Sequence, residues 1–371
     1  MSIEDHLPIS RVTANLRHQD LRKMLRLVRL LFRLSQSDKY RNQIISELPE
    51  VACFDPGHAA LMMGYDFHLS SSGPRLIEVN TNAGGGYIAW LSEQLAGKAS
   101  PLYLSNRFQQ RLLQSYLQEW RDFSGSDEPL RRVVVVDENL EQQALLPEMV
   151  GCCDWLCQNG IEAHIASPEE LQVQADGVYF REEKVDLIYN RHCDFFLETQ
   201  QMQELKKAYL AGHVCLSPNP FAYGLLADKR RMVLWSDQQA LEDMGLSPQD
   251  KELLLEMVPP SSILSGQDLD DIWSRRKKLI FKPVTMFGGR GVLMGKGITR
   301  KRFTDLDPET TLVQEVVAPS VITSEEGQDF KLDIRLFVYR DHLLGVGARL
   351  YQGQVTNMRT EGGGFAPVRI V

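Results

Sequence analysis

Leu279-Ile-Phe-Lys-Pro-Val-Thr-Met-Phe-Gly-Gly-Arg-Gly-Val292 is the stretch on which the reading of this chain turns. Its apolar start predicts a strand that presents Lys282 near its end, and Pro283 stops that strand. Gly288, Gly289 and Gly291, with Arg290 among them, then make a loop before a second strand. Glycines let successive backbone N–H groups approach an anion closely, and a lysine beside them supplies a point charge. That chemistry suits a polyphosphate. The segment contains neither G-x-x-x-x-G-K-[ST] nor G-x-G-x-x-G. Taken alone, it also fits a glycine-rich turn with an incidental lysine.

A second constellation lies far upstream. Gly64-Tyr-Asp-Phe-His-Leu69, the loop SSSGP (70–74) and Arg75-Leu-Ile-Glu-Val-Asn80 read as a β-hairpin. With the loop centred near Ser72, Asp66 falls opposite Glu78, and Asn80 shares a face with Glu78. Opposed carboxylates repel unless something cationic sits between them. Asp66, Glu78 and Asn80 offer the hard oxygen ligands expected for Mg²⁺ (or Mn²⁺), with phosphate oxygens and water completing the shell. The alternative is an exposed hairpin edge.

The third constellation is Lys331 to Tyr339, Leu343 to Tyr351, and Thr356-Asn-Met-Arg-Thr-Glu-Gly-Gly-Gly364. Asp333, Arg335, Phe337 and Tyr339 share one strand face. A hairpin turning near Asp341 brings Arg335 and Arg349 together. Paired guanidinium groups beside a glycine-rich loop suit a carboxylate or a developing acyl phosphate. A pair of ordinary surface arginines is the bland counterpart.

Composition sets the bounds. The 371 residues suggest two to three domains at about 150 residues each. With 43% apolar and 24% charged residues, a sizeable core is available, and a disordered, collagen-like or disulfide-scaffold chain is excluded. A formal charge of −8 gives no reason to expect nucleic acid as a partner. The most apolar run, Leu25 to Leu34, is broken by Arg26, Arg29 and Arg33, so no membrane span is expected. The opening MSIEDHLPIS reads as no signal peptide. Six cysteines without a CxxC pair read as reduced thiols of a cytoplasmic protein, and Cys152, Cys153 and Cys157 as helix core.

Residues 11–34 predict a basic amphipathic helix docked with its charged face in solvent. Helices are also expected over 88–97 and 105–121, ending at the linker SGSDEP (124–129). Beyond it, strands Val133–Val136, Ile161–Ala166 and Asp186–Asn190 alternate with helices over 141–158 and 197–211. This alternation predicts a small parallel sheet covered by helices. Helical segments at 221–237 and 267–277 precede the strands that start at Leu279. The fold class expected is α/β with α+β portions, organised as 1–123, 131–217 and 218–371.

In this order the motifs resemble the ATP-grasp superfamily of carboxylate–amine or carboxylate–thiol ligases, and glutathione synthetase-like members most closely. Ala227-Asp-Lys229-Arg is similar to the family's first ATP lysine at a helix start. Ile280-Phe-Lys282-Pro is similar to the second, and Phe287-Gly-Gly-Arg-Gly291 to the phosphate-covering loop. Leu312-Val-Gln-Glu-Val-Val317 resembles the hinge strand, which implies Gln314, Glu315 and Val317 at the nucleotide. Asp333-Ile-Arg335, Arg349, Asn357 and Gly362, Gly363 and Gly364 resemble the segment holding ribose, phosphate and acyl substrate, with Asp333 ranked ahead of Glu325 and Glu326 for the ribose. Asp66, Glu78 and Asn80 match the Asp…Glu-x-Asn metal ligands, and Arg191, in Ile188-Tyr-Asn-Arg-His192, the substrate-side strand end. In the usual order that hairpin follows the arginine strands. Here it comes first, which a circular permutation explains.

The resemblance implies an ATP- and Mg²⁺-dependent ligase. A small-molecule carboxylate is phosphorylated and then attacked by an amine or thiol, with release of ADP and phosphate. Lys282, Arg335 and Arg349 are the expected catalytic groups, and a homodimer is common in such enzymes. Two other readings keep the fold: a nucleotide-binding regulatory or scaffold protein that catalyses nothing, and a phosphotransferase to a non-carboxylate acceptor.

Overall fold

The computed structural model describes residues 7–96, 105–285, 289–354, 356–357 and 360–371. Its first long helix, α1 (His18–Ser35), buries Leu21, Met24, Leu27, Val28, Leu31 and Leu34 on a helical stripe. Arg22, Arg26, Arg29 and Arg33 are exposed opposite, as the periodicity requires. The expected start at residue 11 is corrected. Ala14–Leu16 is a short strand pairing in parallel with Val368–Ile370, and His18 N–H donates to the Val371 carbonyl at 2.7 Å. Residues 14–18 therefore lie beside residues 368–371.

Farther along come β1 (Met63–Ser70), β2 (Gly73–Asn80), α2 (Gly86–Ala96) and α3 (Ser105–Ser124). The parallel unit follows with β3 (Arg132–Val136), α4 (Leu146–Gln158), β4 (Glu162–Ala166), β5 (Leu187–Asn190) and β6 (Cys215–Ser217). Its strands run in the order β6-β5-β3-β4, all parallel, so the direction of winding reverses between β3 and β5. Val133 to Val136 are fully buried because helices cover both faces.

The helix expected over 221–237 is broken. Tyr223–Ala227 is π-helical, Asp228 accepts hydrogen bonds from Arg230 N–H and its guanidinium, and α5 (Arg231–Ser236) starts afresh. Local side-chain bonding of this kind competes with helix continuation and leaves Lys229 at the break.

After α5 lie β7 (Leu279–Pro283), β8 (Thr311–Glu315), β9 (Asp329–Tyr339), β10 (His342–Tyr351) and β11 (Gly364–Ala366). A small antiparallel sheet pairs Ser261–Ile263 with β8, β8 with β7, and β7 with Leu293–Met294. The central antiparallel sheet runs β11-β10-β9-β1-β2, joining the hairpin near the start of the chain to strands at its finish. One face packs Tyr65, Phe67, Ile334 and Leu336 under α1 and α5. The opposite face packs Phe337 and Phe365 against α2 and α3. Asp66, Asp333, Arg335 and Arg349 are buried by the second face. No helix among the described residues is long and apolar enough to cross a membrane.

Candidate active site

The hairpin register carries an irregularity that decides the site. From the turn, Ser70 pairs with Gly73, His68 with Arg75 and Phe67 with Leu76, but Asp66 then pairs with Glu78 and Gly64 with Asn80. Ile77 is the extra residue of a β-bulge. Without it Asp66 would oppose Ile77, and Glu78 would turn toward the core. With it, Asp66, Glu78 and Asn80 share one face, and the Ile77 carbonyl accepts a hydrogen bond from Lys282 Nζ at 3.1 Å.

The Lys282 ammonium also donates to Gln314 Oε1 at 2.8 Å, and Gln314 Nε2 donates to Ser261 Oγ at 3.0 Å. Three strands thus hold one ammonium. Burial pushes the pKa of Lys282 down to about 8; the Glu78 carboxylate works against that shift and neighbouring Lys229 adds to it. Lys229 and Lys282 line a small recess together with Ile77, Glu78, Asp228 and Trp235. A second small recess shares Glu78 and Lys229 and adds Asn80, Thr81, Phe195 and Tyr223. Phe195 and Tyr223 stack there with ring centroids 4.1 Å apart. The structure therefore brings the two sequence-predicted lysines to one carboxylate.

Asp66, expected as a metal ligand, is a counter-ion to two arginines in this structure. Its Oδ1 accepts from Arg335 Nε at 2.6 Å, and its Oδ2 from Arg335 Nη2 at 2.7 Å and Arg349 Nη2 at 2.8 Å. Asn80 Nδ2 adds a longer contact of 3.3 Å to the same oxygen. Burial would raise the pKa of Asp66, but the two guanidinium groups outweigh it and hold it at about 2. A carboxylate so enclosed by cationic donors does not fit a divalent ion. Among the described residues no group of three or more His, Cys, Asp or Glu side chains is placed to hold a metal. Glu78 remains partly open beside the lysines.

The arginine pair is correspondingly occupied. Arg335 Nη1 donates to the Gly84 carbonyl at 2.9 Å, so all three of its nitrogens have partners. Arg349 Nε donates to Asp333 Oδ1 at 2.6 Å, and Thr356 Oγ1 donates to Asp333 Oδ2 at 2.8 Å. Asp333, expected at the ribose, is an arginine partner in this structure.

Other expected positions have structural duties. Asn357 Nδ2 donates to the Gln352 carbonyl, and Thr360 Oγ1 to Asn357 Oδ1. Ser10 Oγ donates to the Gly362 carbonyl at 2.7 Å, Gly363 N–H donates to the Thr360 carbonyl, and Gly364 sits so near Pro8 that a Cβ would lie 2.2 Å from the Pro8 carbonyl oxygen. At the hinge, Glu315 is exposed, and its N–H donates to the Pro260 carbonyl. His68 Nδ1–H donates to the Val317 carbonyl at 2.7 Å. Gly289, Arg290 and Gly291 form an exposed turn; Gly288 lies outside the described residues.

Arg191 is buried, where Nη1 donates to the Asn82 carbonyl at 2.9 Å and Nη2 lies 3.9 Å from Glu148. Sequence reasoning missed this support: Glu148 also accepts from Gly85 N–H at 2.7 Å and Tyr87 N–H at 3.2 Å. The run Gly84-Gly85-Gly86, which starts four positions after Asn80, was the available signal.

No family model and no curated protein matches the sequence. Among solved structures, the chain is similar to a putative gamma-glutamylcysteine synthetase from Methylobacillus flagellatus KT, at 12% identity and TM-score 0.49 over 91% of this chain and 84% of that one. It is also similar to a glutathione synthetase-like effector from Globodera pallida in its apoform, at 10% identity and TM-score 0.63, covering 98% of this chain and 90% of that one. That second likeness spans nearly the whole of both chains, and it shows that this protein has a mixed α/β fold of the glutathione synthetase-like kind.

Proposed function

We propose that the protein is an ATP-dependent carboxylate–amine (or carboxylate–thiol) ligase of ATP-grasp type. The observation that carries this reading is Lys282, held by Ile77 and Gln314, lining one recess with Lys229 and Glu78. Two ammonium groups there neutralise a triphosphate, and the 287–291 loop follows Lys282 by five positions in sequence. The γ-phosphoryl bond to ADP breaks as a carboxylate oxygen bonds to phosphorus. An amine or thiol then bonds to the acyl carbon, and phosphate leaves. Arg349 orients the acyl oxygens, and Arg191 belongs to the substrate side. Catalysis is positioning and charge stabilisation. No step is routed through a metal ion, because Asp66 does not fit one.

The chain order is read as a circular permutation. The hairpin β1–β2 closes a sheet with β9 and β10, and the Ala14–Leu16 strand lies beside Val368–Ile370. Segments so remote in sequence and adjacent in space are the geometry a permutation needs.

The test is ADP and phosphate release across a panel of carboxylates and amines. Release that needs both, and falls at least a hundredfold in Lys282→Met, is the expected result. Nucleotide binding without release on any pair favours the second reading, a nucleotide-binding scaffold. One observation supports that reading: Asp66 and Asp333 already neutralise the arginines on which a substrate carboxylate would depend.

A further inference from the structure

Arg335 and Arg349 together present six guanidinium nitrogens, and the structure commits five of them. Arg335 spends Nε and Nη2 on Asp66 and Nη1 on the Gly84 carbonyl. Arg349 spends Nε on Asp333 and Nη2 on Asp66. Arg349 Nη1 has no partner among the described residues, and it is not among the polar atoms sealed from solvent. Two cross-strand pairings fix the arrangement, Asp66 with Arg335 and Asp333 with Arg349. The side chains of Asp66 and Asp333 are only 2% and 3% exposed, so neither carboxylate can swing away into water.

We infer that Asp66 is a positioning counter-charge which holds the arginine pair closed, and that a ligand oxyanion meets the pair at Arg349 Nη1, the one nitrogen of the six without a partner among the described residues. Arg335 positions Asp66 and the Gly84 loop. Two carboxylates balance two guanidinium groups, so an incoming carboxylate or phosphoryl oxygen competes with Asp66 for Arg349 rather than meeting a free double fork. The site is thereby tuned for an anion that arrives already anchored elsewhere. This deepens the ligase reading, on which it rests only for the identity of the oxyanion.

The assignment makes a prediction of sign. Removing the Asp66 charge should strengthen anion binding, whereas removing a metal ligand or a structural residue should weaken it. Inorganic phosphate is the probe, followed by titration calorimetry of the full chain at constant ionic strength. Asp66→Asn is expected to bind phosphate at least fivefold more tightly than wild type. Arg349→Lys is expected to bind it at least tenfold more weakly. The double variant should be as weak as Arg349→Lys alone, which locates the gain at Arg349.

Phosphate affinity unchanged or weakened in a folded Asp66→Asn overturns the inference, as does a gain that survives Arg349→Lys. Should Asp66→Asn not fold, Asp333→Asn releases Arg349 Nε and must show the same gain. Loss of ligase turnover on every substrate pair, with these anion affinities as expected, removes the ligase reading alone. An active ligase with phosphate affinity indifferent to Asp66 removes this inference alone.

Discussion

Lys282 Nζ donates to the carbonyl oxygen of Ile77 at 3.1 Å, and Ile77 is the residue that the β-bulge inserts into the hairpin. One irregular residue therefore both turns Glu78 toward the recess and anchors the ammonium that faces it. The pairing joins strand β7 to a hairpin 205 residues away in sequence.

The buried ammonium makes nucleotide binding pH-dependent. With a pKa near 8 in the free protein, Lys282 loses its proton as pH rises through that value. An anion favours the protonated form, so ADP affinity should fall above pH 8, and binding at pH 8.5 should take up a proton. Calorimetry in two buffers of different ionisation enthalpy measures that uptake. For stability the sign is opposite. The unfolded lysine, titrating near 10.5, binds more protons between pH 8 and 10.5, so stability should rise with pH across that window by about 3 kcal/mol, absent in Lys282→Met.

Asp66 contributes in acid. Its folded pKa of about 2 lies below the ordinary 3.8, so its stabilisation is present above pH 3.8 and lost as pH falls through 2. The shift corresponds to about 2 kcal/mol. Urea unfolding from pH 6 to pH 2 should show wild type losing this much more stability than Asp66→Asn over that range. Equal losses would remove the coupling.

Away from the recesses, Glu119 on α3 is fully buried and accepts from His58, Ala59 N–H, Ser217 Oγ and Tyr339, at 2.8 to 3.0 Å. These bonds, with His58 foremost, outweigh burial and hold its pKa below the ordinary value. A carboxamide has one acceptor oxygen for these donors. Glu119→Gln should therefore cost about 3 kcal/mol or more, read from the denaturant midpoint, while ADP affinity well below that midpoint stays within twofold.

Gly85 adopts φ +90°, and a Cβ there would lie 1.7 Å from the Phe365 ring. Gly85→Ala should cost more than about 2 kcal/mol through backbone strain and overlap together. Phe365→Leu in the same chain should recover part of the loss, since the overlap is relieved and the strain is not. A double variant no more stable than the single one would assign the whole effect to the backbone.

Much of this protein was legible in its residues. The 3.6-residue stripe of α1, the strand–helix alternation around β3 to β5, and the hairpin of 63–80 all follow from periodicity, because burial of one face is a local requirement. Lys282, Glu78 and Arg349 stood out by residue type and spacing, and Lys229 only by the family resemblance. The start of α1 was misplaced, since nothing local shows that Ala14–Leu16 pairs with residues more than 350 positions later.

What only the tertiary structure decided is which charge answers which. Alternation puts Asp66 on a face, but not beside Arg335; that needs β1 to add to β9, a register set by closure of the whole sheet. Nor does alternation show the Ile77 bulge, which resets the pattern at the residues that matter. Residue type names the charges that can act. The partner that occupies each one depends on distances under 4 Å between strands remote in the chain, and those are fixed only when the core has packed.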